Sequence, residues 1–176
     1  MMTHCDKIAP VDLTLLIFIV ILDEQGGSGP MYEDILEHVN LFSGLRKKDL
    51  KEVATHCREG KYSPGSVLIS QGEKGLGLFI ITKGTVRITR TNSSNGAEEV
   101  LGTAGAGDVI GEMALLDDLP RSATVTAVDD VTVLVLPFWE FRIIMRRILS
   151  SDPDVGLDLL AVLSRRLRKA EQRATE

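Results

Sequence analysis

The sequence has few of the residues on which several protein classes depend. Only two of its 176 residues are cysteine, so it has no disulfide framework and we expect a reducing, cytoplasmic compartment. Aromatic residues make up 5% of the chain, which argues against a stacking surface for single-stranded nucleic acid. The formal net charge of −5 argues against nonspecific binding of nucleic acid over the whole surface. We therefore expect no nucleic acid among the partners.

Histidine is scarce, and all of its copies lie in the first third of the chain. The three are His4, His38 and His56. His56 and Cys57 are adjacent without further ligands at metal-binding spacing, so we interpret the pair as structural and expect no metal site. No Ser-His-Asp, Cys-His or paired-carboxylate arrangement is evident. The sequence therefore indicates a protein that is not an enzyme.

Long apolar runs are also missing. The longest, residues 15–22, has eight residues, whereas a membrane span needs about 20, so we expect no span. Its β-branched content fits a strand, although a short buried helix is equally open, and we interpret residues 11–22 as a core or dimer-interface element. A Gly-rich linker follows. We therefore divide the chain into an N-terminal segment with linker, residues 1–29, and one domain, residues 30–176.

The periodicity within that domain changes twice. Residues 30–57 have apolar side chains three and four apart, which is typical of helices, and Ser43 is a candidate helix cap. Residues 58–137 contain short β-branched stretches between turn signals. Residues 138–176 have helical apolar stripes. The stretches that we expect to be strands include 66–69, 78–81, 85–88, 123–126 and 132–135. A turn is expected at Ser63-Pro64-Gly65, and the whole pattern favours a sandwich or barrel flanked by helices.

One short segment has the groups that a small anion would need. Gly111 lets the backbone come close to a ligand. The N–H groups of Met113, Ala114 and Leu115 would lie in the first turn of a short helix, where they attract a phosphate.

The same segment offers two charged side chains. Arg121 adds a permanent charge with a planar fork that matches phosphate oxygens. Glu112 could accept a hydrogen bond from a hydroxyl group. The alternative interpretation is a surface helix with an ordinary ion pair between these two residues.

This segment resembles the phosphate-binding cassette of the cyclic nucleotide-binding domain family, which includes bacterial cAMP receptors, kinase regulatory subunits and ion channels. The family pattern, Gly-Glu-x-Ala-Leu and then Arg-(Ser/Thr/Ala)-Ala-(Thr/Ser)-Val, is matched at Gly111, Glu112, Ala114, Leu115, Arg121, Ser122, Ala123, Thr124 and Val125. The resemblance implies that Glu112 binds the ribose 2′-hydroxyl and Arg121 the cyclic phosphate, with backbone around Ala114 and Ser122 completing the phosphate cage. It covers about residues 32–168 and implies an eight-stranded β-roll with N-terminal helices and two C-terminal helices.

The resemblance also implies how binding would be signalled. By this resemblance, Leu115 would contact the helix that contains Phe141, and this contact would be the hinge. The last helix, with Leu163, would then move in as a lid. The ligand is expected to be cAMP rather than cGMP, because serine at position 122 is also found in bacterial cAMP receptors, and no further cofactor is expected. The effector partner stays open, as does a homodimer formed through residues 155–167.

Three departures from the family pattern and three alternatives complete the interpretation. Leu76 stands where an aspartate is usual, Ile110 replaces a common aromatic residue, and Pro137-Phe138 replace a small polar cap.

A cupin-like enzyme would need histidines clustered on the strands. A DNA-binding regulator would need a helix-turn-helix after the last helix, and the sequence ends at Glu176. The third alternative is a scaffold of the same fold that binds no nucleotide.

Overall fold

The structure, a computed structural model, describes residues 30–113 and 119–174. Its helices are α1 (Pro30–Glu37), a 3₁₀ turn (Asn40–Phe42), α2 (Lys47–His56), α3 (Phe138–Ser151) and α4 (Asp154–Ala174). Its strands are β1 (Arg58–Tyr62), β2 (Val67–Ile69), β3 (Gly77–Lys83), β4 (Thr85–Thr91), β5 (Glu98–Gly105), β6 (Val109–Ile110), β7 (Thr124–Ala127) and β8 (Val131–Pro137). The strands thus lie between two helical groups.

The eight strands form two antiparallel sheets of four. One sheet has the order β1-β8-β3-β6 and the other has the order β2-β7-β4-β5. Strands that are distant in the sequence are neighbours, since β1 pairs with β8 and β2 pairs with β7. The eight-stranded β-roll with flanking helices, which the resemblance implies, is confirmed.

Two hydrophobic clusters hold the fold together, and strand β3 contributes to both. Phe79 and Ile81 pack between the sheets, whereas Leu78 and Ile80 pack against the helices. Because successive side chains of a strand point to opposite faces, a continuous apolar strand can serve two cores. Strand β8 does the same with its own apolar run. This sheet therefore fixes the helices to the roll.

The β-branched stretches that we expected to be strands all correspond to observed strands, although Ser66 and Ala123 lie just before β2 and β7, and β3, β4 and β8 extend up to three residues beyond the expected ends. The turn at Ser63-Pro64-Gly65 also forms: the N–H of Ser66 donates to the Ser63 carbonyl over 3.0 Å, and Gly65 has φ +83°. The expectation for Ser43 is wrong. Helix α2 begins at Lys47, after Arg46, and the Ser43 hydroxyl donates instead to the Asn40 carbonyl over 2.9 Å.

Ion pairs connect the N-terminal helices to the C-terminal ones. Arg46, which precedes α2, pairs with Asp49 at 2.9 Å and with Asp152, after α3, at 3.4 Å. His56, at the end of α2, lies 3.5 Å from Glu140 of α3. The next residue, Cys57, is buried, and burial raises the pKa of its thiol to about 12. Both residues of the His56-Cys57 pair therefore have structural contacts.

Several expectations lie outside the described residues. They are the apolar run 11–22, the linker, and Ala114 and Leu115 of the anion-binding segment. The separation of residues 1–29 from the domain thus stays a prediction. In the part of the chain that the structure describes, no helix is both long enough and apolar enough to cross a membrane.

Candidate functional site

A cavity of about 330 Å³ is lined by strands of both sheets, and we call it the Arg121 cavity. This volume lies at the lower end of the range for small-molecule sites. Its apolar wall comes from strands β2, β4, β5, β6 and β7, through Ile69, Ile88, Leu101, Val109, Ile110 and Val125. The polar side chains among its described lining residues are Glu112, Arg121 and Ser122. The cavity can therefore hold a molecule with one apolar part and one anionic part.

The Arg121 side chain is almost completely buried, with 7% of its surface exposed. Its Nη1 donates to the Gly111 carbonyl over 2.6 Å, and its Nη2 donates to the carbonyl of Gly77 at the start of β3. Its main chain is held as well, because its N–H donates to Glu73 O over 2.9 Å and its carbonyl accepts from Gly72 N over 2.9 Å. Arg121 is thus fixed in place by the loop between β2 and β3 and by Gly111.

The buried surroundings of Arg121 disfavour the charged form of its guanidinium. Burial lowers the pKa of its guanidinium, and the Glu112 carboxylate acts in the opposite direction. A buried cation is costly unless an anion and hydrogen bonds replace its hydration. An anionic ligand in the cavity would supply that compensation.

Gly111 has a conformation that other residues rarely adopt, with φ +81°. A Cβ atom there would collide with the Arg121 guanidinium and would lie 3.2 Å from Cδ1 of Ile69. The sequence led us to expect that the missing side chain makes room for a ligand. In the structure, it makes room for the arginine.

The other candidate ligand-binding residues divide between the wall and the rim. Glu112 and Ala123 are half-buried in the wall, whereas Ser122 is exposed. Met113 and Leu119 also line the cavity and are largely exposed, at 57% and 61%. The structure thus brings these four candidates, Glu112, Met113, Ser122 and Ala123, to the same cavity as Arg121 and Gly111.

The candidate hinge and lid residues lie elsewhere. Phe141 is buried in α3, within the cluster of the helices, and lines a separate cavity of about 10 Å³ beside Phe42 and Val155. Leu163 is half-buried in α4. Neither residue lines the Arg121 cavity, and their expected partner Leu115 is not described.

Some residues of the site were not anticipated. Gly77 accepts a bond from Arg121 across 44 positions of sequence, and no local pattern indicates such a contact. Ile88 and Leu101 line the apolar wall from β4 and β5. The alternation along β4 could have indicated Ile88, because it shares a face with the buried Val86. In residues 30–113 and 119–174, no group of three or more His, Cys, Asp or Glu could hold a metal ion.

The sequence and the fold match known proteins. The sequence profile of the cyclic nucleotide-binding domain matches residues 59–147. The cyclic AMP receptor protein of Thermus thermophilus is 35% identical over 131 residues, which are 74% of this chain and 58% of that protein. The cAMP-dependent protein kinase regulatory subunit of Mycosarcoma maydis is 35% identical over 124 residues, 69% of this chain and 23% of that protein.

A solved structure agrees with these matches. The regulatory domain of Toxoplasma gondii PKA, crystallised with cAMP, superposes with a TM-score of 0.63 and 27% identity, covering 70% of this chain and 49% of that chain. The profile, the relatives and the fold agree, and the chain belongs to the cyclic nucleotide-binding domain family. It spans only part of each relative, from about a quarter to three fifths of the full length.

Proposed function

We propose that this chain is a regulatory domain that binds a cyclic nucleotide, with cAMP as its ligand. The observation that carries the proposal is the buried Arg121 guanidinium in the wall of an otherwise largely apolar cavity. A cyclic nucleotide has one negative charge for this cation and a flat aromatic base whose faces can lie against the rest of the wall. The relatives named above, a cyclic AMP receptor and a cAMP-dependent kinase regulatory subunit, support the choice of cAMP.

In this proposal the cyclic phosphate binds at Arg121 and the ribose 2′-hydroxyl donates to Glu112. The bonds from Arg121 to the carbonyls of Gly77 and Gly111 fix the plane of the guanidinium. A preorganised cation loses less conformational entropy on binding than a mobile one. The main-chain N–H groups after Gly111 and before Thr124 would complete the phosphate site.

The base would lie against the apolar wall. Ile88 and Leu101 offer it contact area, and the Ser122 hydroxyl is the hydrogen-bonding side chain closest to Arg121 in the sequence. Apolar walls discriminate poorly between bases that differ only in polar groups. The preference for cAMP over cGMP is accordingly modest in this proposal.

Binding would be signalled through the C-terminal helices. A ligand shifts a conformational equilibrium only by its differential affinity for the two states. The segment after Gly111 is the part of the site that would tighten around the phosphate, and Leu115 would pass this change to Phe141 and then to α4, with Leu163 in the lid. The ion pairs between α2 and α3, His56 with Glu140 and Glu52 with Arg147, would restrain the movement of α3.

The output is a protein partner or a second copy of the chain that contacts these helices, and we propose no catalytic step. The relatives are a receptor and a regulatory subunit by name, which supports a regulatory role. The competing hypothesis is a scaffold of the same fold that binds no nucleotide.

Isothermal titration of the protein with cAMP, cGMP and 5′-AMP tests the proposal. We expect a single site that binds both cyclic nucleotides, cAMP more tightly, and binds 5′-AMP much more weakly because its phosphate is not held in the ring. If neither cyclic nucleotide gave a heat of binding, the result would instead support the scaffold hypothesis.

A further inference from the structure

The Gln71 side chain connects two strands that are not neighbours in their sheet. Gln71 follows β2, and its amide contacts Thr91, the last residue of β4. Its Oε1 accepts from the Thr91 N–H over 2.7 Å, and its Nε2 donates to the Thr91 carbonyl over 3.0 Å. Strand β7 lies between β2 and β4 in the sheet. The Gln71 side chain therefore extends past the start of β7 and pairs with both main-chain groups of Thr91.

The register of the sheet shows which residue would otherwise pair with Thr91. In the β4–β7 pairing, Thr89 is opposite Thr124. Two residues further along, Ser122 would be opposite Thr91. Thr85 has the same parity as Thr91, and its carbonyl accepts from Val128 N, just after β7, so main-chain groups of this parity face β7. The Gln71 amide thus occupies the place that the main chain of Ser122 would take in a longer ladder.

Ser122 and Ala123 are the residues that leave the ladder. Strand β7 begins only at Thr124, and both residues line the Arg121 cavity instead. On the other side the segment remains attached to the end of β2, because the Gln71 N–H donates to Oγ1 of Thr124 over 3.1 Å and Gly72 and Glu73 pair with the main chain of Arg121. Residues 121–123 are thus attached to the end of β2 on one side and do not pair with β4 on the other.

We propose that Gln71 is a positioning residue for the nucleotide site. Main-chain N–H and C=O groups need partners, and the partner that the sheet would supply to Thr91 is Ser122. By taking that place, the Gln71 amide keeps residues 121–123 turned toward the cavity. Without it, Ser122 would join β4 and withdraw from the ligand. The consequence for affinity rests on the proposed function, whereas the placement of Ser122 does not.

The test compares Gln71→Met with Asn92→Ala. Methionine keeps the length and most of the volume of glutamine and removes both hydrogen bonds. Asn92 is the matched control, because it is an amide residue next to Thr91 whose side chain accepts from Ser94 N over 2.9 Å. Thermal unfolding shows whether both variants fold. Amide hydrogen exchange and NMR then follow Thr91, Ser122 and Ala123 without ligand, and titration with cAMP measures affinity.

In Gln71→Met we expect the resonances of Ser122 and Ala123 to shift, an N–H to N–H contact to appear between Thr91 and Ser122, and the affinity for cAMP to fall about five- to tenfold. Asn92→Ala should change none of these. Unchanged Ser122 and Ala123 resonances in Gln71→Met would overturn the proposal, as would unchanged affinity. If the wild-type protein bound no cyclic nucleotide, the proposed function would fail, and the resonances would still decide whether Gln71 positions the segment.

Discussion

The Arg121 guanidinium donates to the carbonyl oxygen of Gly111 over 2.6 Å, so two residues of the anion-binding segment meet in one hydrogen bond. Ten positions of sequence separate these residues, and Gly111 directly precedes Glu112. The absence of a side chain at Gly111 is what permits the contact. A phosphate that binds the guanidinium would therefore bind a group that is hydrogen-bonded to Gly111, the residue at which the anion-binding segment begins.

Gly111→Ala should abolish measurable cAMP binding and also destabilise the protein. The new methyl group would be strained at φ +81° and would displace the Arg121 guanidinium. Gly107→Ala is the matched control, because Gly107 has φ +90° and nothing within 4 Å of a Cβ atom there. Both variants should lose about 1–2 kcal/mol of stability from backbone strain, and only Gly111→Ala should lose binding. Thermal unfolding and calorimetry measure both effects, and equal binding by the two variants would show that the arginine is not displaced.

Glu112→Ala should weaken cAMP binding about 10- to 100-fold without unfolding the protein. The loss corresponds to one charge-assisted hydrogen bond to the ribose. Glu98→Ala, on the exposed part of β5, controls for the change in net charge. 2′-Deoxy-cAMP should bind equally well to wild type and Glu112→Ala, since this ligand has no 2′-hydroxyl. A persistent difference between the two proteins with the deoxy ligand would mean that Glu112 acts in another way.

Ser122→Ala should reduce the affinity for cGMP more than the affinity for cAMP. In the proposed binding mode, the Ser122 hydroxyl would reach a guanine amino group, which adenine lacks at that position. We expect cAMP affinity to change by about twofold or less, because in this proposal no contact with adenine depends on the hydroxyl. Side-by-side titrations with both nucleotides measure the ratio. A wild-type preference for cGMP would overturn the choice of cAMP.

The Cys57 thiol should be inert in the folded protein. Burial raises its pKa to about 12, so the reactive thiolate is scarce between pH 7 and 9. We expect alkylation by iodoacetamide at Cys57 to be slow across this range and to become fast only in denaturant. Peptide mass spectrometry distinguishes Cys57 from Cys5. Rapid native labelling at Cys57 would show that the cluster around it opens readily.

The sequence predicts the interior of the roll better than its surface. Strands β3 and β8 each contain a run of four apolar residues, 78–81 and 133–136, so the sequence alone indicates them. Strand β1 has the sequence Arg-Glu-Gly-Lys-Tyr, and β5 is largely exposed. These two are strands because β8 and β4 pair with them, and such long-range pairing leaves no local pattern.

The site residues also divide into those that a local sequence pattern indicates and those that only long-range contacts reveal. The residues between Gly111 and Ala123 could be chosen from the sequence because they are close together and have charges and glycine in a fixed order. Gly77 and Gln71 could not, since their contacts with Arg121 and Thr91 join distant positions of the chain. The roles of the candidate residues stay predictions until binding is measured.

The affinity of Arg121→Ala for cAMP tests the central claim most directly. Removing one partner of a buried charge pair costs roughly 3–5 kcal/mol, so binding should weaken from about a hundredfold to several-thousandfold. Arg121→Lys should recover little, because an ammonium group cannot form paired bonds to phosphate. Arg90→Ala is the control, since Arg90 is an exposed arginine on β4 that pairs with Glu99.

Without ligand, Arg121→Ala should have a melting temperature close to that of the wild type. The lost bonds to Gly77 and Gly111 are offset by removal of a buried charge. Calorimetry with cAMP on the folded variants is the decisive measurement. The account predicts a loss of at least about a hundredfold for Arg121→Ala and none for Arg90→Ala. Binding by Arg121→Ala within about threefold of the wild type would place the phosphate elsewhere and contradict the account.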